Sequence, residues 1–354
     1  MRILVVGDSY FPSAAYRSAF AALADHHEIS YAEVVDDLLW VPMTASEQRL
    51  REVNGNPAQV IALLDHDEVL VHQGAPVTDA VLDASPELRL VCCARGGPVN
   101  VDLDAATARG IPVVITPGKN AEAVADLTIA FLVMLTRRLP EVARFIEGGG
   151  EFGHDNYEGR AWFGHDLGGL TLGLVGVGQV GRRVAARARS FGMRVLAHDP
   201  FVPPPALSAL SVEPADLPTL LATADFVSLH ARASADDPPL IGRDEIARMK
   251  RGTFLVNTAR AGLVDEVALA EALASGQVAG AAFDLVSPSP ATGRHPLLAF
   301  PNVIVTPHIG GSTAETLQRA AEMAAAEIER LTAGEALVNV ANRADLDARS
   351  QGPA

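Results

Sequence analysis

Short aliphatic and β-branched runs alternate with helical stretches through the first third of the chain. Residues 3–6, 69–71, 88–92 and 113–115 read as strands, and residues 14–24, 76–84 and 102–108 suit the helices between them. A long helical stretch over 121–145, with a break expected at Pro140, leads through the glycine run Gly148-Gly149-Gly150 to a second series. That series opens at Thr171-Leu172-Gly173-Leu174-Val175-Gly176 and continues with strands expected at 194–197, 226–229, 253–257, 279–283 and 303–305. Continuous apolar strands joined by helices predict the α/β class: two Rossmann-like parallel sheets with helices on both faces. A last helix over 314–332 could close either domain, and residues 349–354 are too polar and too rich in glycine and proline to need a fixed place. No internal repeat is evident.

Composition narrows the function classes. With 354 residues two domains are expected, and cores of that size need neither metal nor disulfide. The two cysteines, Cys92 and Cys93, are adjacent and supply neither a disulfide framework nor a zinc site. A net charge of −15, from 28 basic and 43 acidic residues, argues against a nucleic-acid partner. A small anion can still be held by one arginine or a nest of backbone N–H groups. The longest apolar run, 127–135, is too short for a bilayer and is interrupted by Thr128, so no membrane partner is expected. The first eight residues read as a strand and turn, not a signal peptide, which predicts a cytoplasmic protein.

The most specific chemistry lies in Gly176-Val177-Gly178-Gln179-Val180-Gly181, which follows a strand and opens a helix. Gly176 permits the sharp turn, Gly178 lets the backbone approach a pyrophosphate, and Gly181 allows close packing of helix on sheet. Packing alone can produce such a turn in a glycine-rich chain. Here, however, the next strand ends at Asp199, eighteen residues beyond Gly181, where a carboxylate can accept both ribose hydroxyls. NAD is the expected cofactor, because the same carboxylate repels the 2′-phosphate of NADP. Further polar residues close later strands: His230, Arg260, Asp284 and His308. Each alone could be a turn residue, but four of them at strand ends predict a ligand crevice.

At this point the chain resembles the D-specific 2-hydroxyacid dehydrogenase family. The resemblance rests on Gly96-Gly97-Pro98-Val99-Asn100-Val101-Asp102, Asn120-Ala121-Glu122-Ala123-Val124-Ala125-Asp126 and the glycine turn. It also rests on Val227-Ser228-Leu229-His230, Asn257-Thr258-Ala259-Arg260 and the run Asn302 to Gly311. It implies a discontinuous substrate-binding domain, residues 1–118 plus 315–354, and an NAD-binding domain, residues 119–314, containing a dimerisation arm; a homodimer follows. It makes Arg260 the substrate-orienting arginine and His308 the acid/base, and places Gly96 and Gly97, with Arg95 beside them, at the substrate carboxylate. The glycine-turn residues Gly176, Gly178, Gln179, Val180 and Gly181 fall to the cofactor, with Asp199, His230, Thr258, Ala259, Asp284 and Gly310; no metal is implied.

One position departs from the family pattern. A glutamate is expected five residues after Asp284, where it would support the charged form of His308, and Ser289 stands there instead. The expected function is NAD-dependent interconversion of a small D-2-hydroxy acid and its 2-oxo acid. A phosphoglycerate dehydrogenase is the first alternative, although no basic cluster marks a phosphate pocket and the C-terminal remnant is too short for the regulatory domain of some such enzymes. An NAD(H)-responsive interaction protein, similar to corepressor relatives of these enzymes, is the second. Ser289 favours that reading, while Arg260 and His308 favour chemistry.

Overall fold

The computed structural model describes residues 1–37, 39–150, 161–232, 237–287 and 295–350. The chain divides into two compact units, Met1–Lys119 with Thr313–Ala354, and Asn120–Ser312.

The first unit is built on five parallel strands: β1 (Arg2–Gly7), β2 (Glu28–Glu33), β3 (Val69–His72), β4 (Leu90–Cys93) and β5 (Val113–Ile115), in the order β2-β1-β3-β4-β5. Alternate residues of each strand feed opposite faces. Ile3, Val5, Val69 and Val71 pack with Phe11, Tyr16, Phe20 and, from the helix Ala314–Ala333, Ala320, Ala324 and Ile328. Leu4, Val6, Leu70 and Val91 pack with Val60, Val81, Leu82 and Ala106 on the other. That last long helix is delimited as its sequence dictates, by Thr313 accepting the Thr316 N–H at the start and Gly334 at φ 69° at the end.

Several expectations for this unit need correction. Residues 14–24 form no continuous helix. They make a 3₁₀ turn, Ser13–Tyr16, and one α turn, Ala21–Ala24, because Tyr16 stacks on Phe11 and meets Phe20 edge-on, and this anchoring overrides helix propensity. The sequence pattern also misses β2, an edge strand whose residues are all partly or fully exposed and so show no apolar run. Two short helices go unanticipated, Ala45–Arg49 behind a Thr44/Glu47 capping box and Pro57–Leu63 behind Asn56. A further helix, Arg343–Ser350, is equally unanticipated.

The second unit holds seven parallel strands: β6 (Thr171–Val175), β7 (Arg194–His198), β8 (Glu213–Pro214), β9 (Phe226–Leu229), β10 (Thr253–Asn257), β11 (Val278–Phe283) and β12 (Val303–Val305). Their order is β12-β11-β10-β9-β6-β7-β8. Apolar clusters line both faces of the sheet. The helix expected over 121–145 is two helices, Ala121–Thr136 and Leu139–Glu147. The break falls at Arg138, which is left-handed at φ 55°. Pro140 sits in the first turn of the second helix, where its missing N–H costs nothing. No helix among the described residues is long and apolar enough to cross a membrane.

Candidate cofactor and active site

In the second unit the glycine turn runs from the end of β6 into the helix Gly181–Ser190. Gly176 has φ 92°, and a Cβ there would lie 2.8 Å from the His230 carbonyl, so any other residue is both strained and crowded. A Cβ on Gly178 would meet nothing within 4 Å: its backbone is open, as a phosphate cradle requires. Gly181 is needed because a Cβ would approach the Gly176 carbonyl oxygen to 2.2 Å; the close packing is of the helix on the turn itself. Gln179 and Val180 complete the turn, and the Arg183 guanidinium donates to the Gln179 carbonyl.

Asp199, one residue beyond β7, reaches across this turn. One carboxylate oxygen accepts the Val177 N–H at 2.7 Å and the other the Phe201 N–H at 2.9 Å. Each oxygen keeps a lone pair for a ribose hydroxyl. The open Gly178, the helix start and this carboxylate together fit NAD. His230 is held differently: its Nε2 lies 3.0 Å from the buried Ser228 hydroxyl, and burial lowers its pKa to about 4, so the ring is neutral near pH 7.

The loops after β10, β11 and β12 form one hydrogen-bonded system. Asn257 fixes the first loop by donating to the Arg260 carbonyl at 2.8 Å and accepting the Ala259 N–H at 3.0 Å. Thr258 is buried, its hydroxyl 3.1 Å from that of Thr128. Arg260 is exposed; its guanidinium donates to the Ala259 carbonyl and has no carboxylate partner among the described residues. The next loop is tied to the first by the Asp284 N–H donating to the Asn257 carbonyl at 3.0 Å.

Asp284 is 2% exposed and its carboxylate is occupied from the third loop. It accepts the Thr306 hydroxyl at 2.7 Å and the backbone N–H groups of Ile309 and Gly310, each at 2.8 Å. Between them His308 is held at φ 57°, a left-handed conformation that a non-glycine residue adopts only when its surroundings impose it. Its own N–H donates to the Asp284 carbonyl at 2.7 Å. The His308 side chain is exposed and has no carboxylate within ion-pair distance among the described residues; Ser289 lies outside those residues. Asn257 and Thr306, to which the sequence pattern assigns no role, therefore brace the two predicted chemical residues. Their only sequence signal is a polar side chain at a strand end.

In the first unit Arg95, Gly96 and Gly97 follow β4. Arg95 makes an ion pair with Glu52 and donates to its backbone carbonyl, so this guanidinium is already engaged. A Cβ on either glycine would meet nothing within 4 Å, which leaves their backbone open. Asn100 anchors the far side of the loop by donating to the Gln73 and Ala75 carbonyls. Asp102 caps the helix Leu103–Ala108 and takes two hydrogen bonds from Arg49.

Residues 129–310 match the family model described as D-isomer specific 2-hydroxyacid dehydrogenase, NAD binding domain. Among named relatives, the D-3-phosphoglycerate dehydrogenase of Mycobacterium leprae is 38% identical over 281 residues, covering 79% of this chain and 52% of that protein. The chain thus spans about half the length of this relative. The crystal structure of the TT0316 protein from Thermus thermophilus is 35% identical and covers 96% of this chain and 100% of its own, with a TM-score of 0.75. A glyoxylate reductase from Paecilomyes thermophila is 28% identical, covering 96% and 98%, with a TM-score of 0.72.

Proposed function

The chain belongs to the D-isomer-specific 2-hydroxyacid dehydrogenase family and carries its NAD-binding domain, and from that premise we propose that it interconverts a D-2-hydroxy acid and the corresponding 2-oxo acid. The observation that best supports this reading is the presence of an exposed Arg260 with no carboxylate partner among the described residues and of a His308 held left-handed by Asp284, both at strand ends of the sheet that carries the glycine turn.

In this reading Gly178 and the start of the helix Gly181–Ser190 hold the pyrophosphate of NAD, and Asp199 holds the ribose. The bound cofactor supplies hydride exchange at the substrate C2. In the first unit the open N–H groups of Gly96 and Gly97, on a loop that Arg95 braces through Glu52, offer donors to an anion. Arg260 holds the substrate carboxylate. The planar guanidinium also polarises the 2-oxo group. His308 gives a proton to the developing alkoxide during reduction and takes it back during oxidation. Asp284 and Asn257 fix the loops on which these two side chains stand.

For the substrate, the relatives favour a 3-phosphorylated acid over an unsubstituted one, since the similar proteins of M. leprae and Homo sapiens are both named D-3-phosphoglycerate dehydrogenase. The same reading makes the chain a homodimer through the helix Leu139–Glu147. No residue of that helix is buried, and Leu139, Phe145 and Ile146 are all exposed.

NADH oxidation with a panel of 2-oxo acids, including 3-phosphooxy-2-oxopropanoate, tests the activity. Arg260→Ala should keep its NADH affinity while transition-state stabilisation falls by about 2–5 kcal/mol, the loss expected for a desolvated bidentate contact. An unchanged kcat/KM rules out the role given to Arg260, and no turnover with any acid rules out the function.

A further inference from the structure

Lys119 lies in the first unit, on the turn that follows β5. The residue is 8% exposed, yet its ammonium has a single hydrogen-bond acceptor, the carbonyl of Ala94, and no carboxylate within ion-pair distance among the described residues. The ammonium also lies over the face of Phe11, 5.7 Å from the ring centroid. The carboxylate that acts on it electrostatically, Asp8, is spent on three backbone N–H groups, those of Tyr10, Phe11 and Gly74. An ammonium with two unfilled donors and no hydrogen-bonded carboxylate among the described residues is costly to bury, and a ligand anion that accepts from it lowers that cost.

The same turn is tied to the loop, the Lys119 N–H donating to the Thr116 carbonyl and the Thr116 N–H to the Arg95 carbonyl. Thr116, three residues earlier on the same turn and 3% exposed, has a buried hydroxyl with no partner among the described residues. Gln73, at the end of β3, has an amide oxygen with no partner among the described residues, a position that an amide flip turns into a donor. The Lys119 ammonium is bonded to the carbonyl directly before Arg95-Gly96-Gly97, the loop assigned above to the substrate carboxylate. A cation anchored at the root of that loop is placed for a second negative group on the same small molecule.

We propose that Lys119, with the Thr116 hydroxyl, forms a subsite for a second anionic group, phosphate or carboxylate, on the 2-oxo or 2-hydroxy acid. This rests on the reaction class proposed above and adds to it the residue that selects dianionic and trianionic substrates over monoanionic ones. Lys119→Met keeps the apolar stem and removes the charge.

The test compares kcat/KM for 2-oxopropanoate, 2-oxobutanedioate and 3-phosphooxy-2-oxopropanoate in wild type and Lys119→Met, with NADH affinity as the check on folding. The loss should be about 30-fold greater for one of the two polyanionic acids than for 2-oxopropanoate, and which acid suffers identifies carboxylate or phosphate as the native group. Lys119→Arg should restore most of the difference. Equal losses for all three acids, or no loss, overturn the subsite. If Lys119→Met does not fold, Thr116→Val carries the comparison: a selective loss of about 3-fold or more supports the subsite, and none overturns it. If wild type reduces no 2-oxo acid, the reaction class fails while the subsite is still judged by inorganic phosphate. Thermal stabilisation of wild type but not of Lys119→Met then supports it, and equal or absent stabilisation overturns it.

Discussion

The proposed choice of nucleotide turns on a single carboxylate. Asp199 lies across the glycine turn with both oxygens accepting backbone N–H groups, so it is fixed before any ribose arrives. Direct titration should show NADH binding more tightly than NADPH, by about tenfold or more, since a 2′-phosphate would face this charge; equal binding contradicts that role. Lys119 gives a second residue-level prediction. Burial, assisted by Arg95 and opposed by Cys93 and Asp8, lowers its pKa to about 8. It is therefore charged at pH 7 and neutral above about pH 8, whereas a phosphate ester is already dianionic above its second pKa of about 6. The ratio of kcat/KM for the phosphorylated acid to that for 2-oxopropanoate should stay level to about pH 8 and then fall by up to about tenfold per unit. A ratio flat to pH 9.5 would sever Lys119 from that selectivity, because ionisations shared by both substrates cancel. The sequence disclosed Asp199 through its fixed distance from the turn. It could not disclose Lys119, whose significance depends on its burial and on which carbonyl it meets.

Among elements, the loop Thr306–Gly310 is held from behind by a buried carboxylate, that of Asp284, which fixes the backbone on either side of His308. Asp284→Asn replaces a group that only accepts hydrogen bonds with one that presents an N–H to a neighbouring donor, either Gly310 or the Thr306/Ile309 pair. The unfolding free energy should drop by about 1–3 kcal/mol, and kcat should fall more than NADH affinity as His308 loses its left-handed restraint. Denaturant melts and steady-state kinetics measure the two effects, and a variant with wild-type kcat would show that the loop holds itself. Interior strands are easy to read because both faces are buried and the residues run apolar. The edge strand β2 and the short helices before β3 are not, since their residues are set by capping and half-exposed packing. The long helix splits at Arg138 and not at Pro140, because proline is tolerated in a first helical turn.

For the molecule as a whole, sedimentation should give twice the chain mass of 37.1 kDa, since the helix Leu139–Glu147 leaves Leu139 and Ile146 more than two-fifths exposed. A monomer at micromolar concentration would remove that helix as an interface. Composition and periodicity indicate two α/β halves, but only the resemblance suggests that the first is assembled from both ends of the chain. Within that first unit, the helix Ala314–Ala333 fills the core beside Ile3 and Val5. Asn342 accepts the Val113 N–H, and Val340 bridges to Val114. A ribosome delivers these pieces in order. The second unit is contiguous and can close once Ser312 has emerged, while the N-terminal segment waits with Ile3, Val5 and Phe20 lacking their helical cover. At about 5–20 residues per second, the roughly 190 residues between its two parts impose a delay on the order of 10–40 s. The middle of this protein is thus free to mature before its beginning, and the first strands made are those most in need of a chaperone.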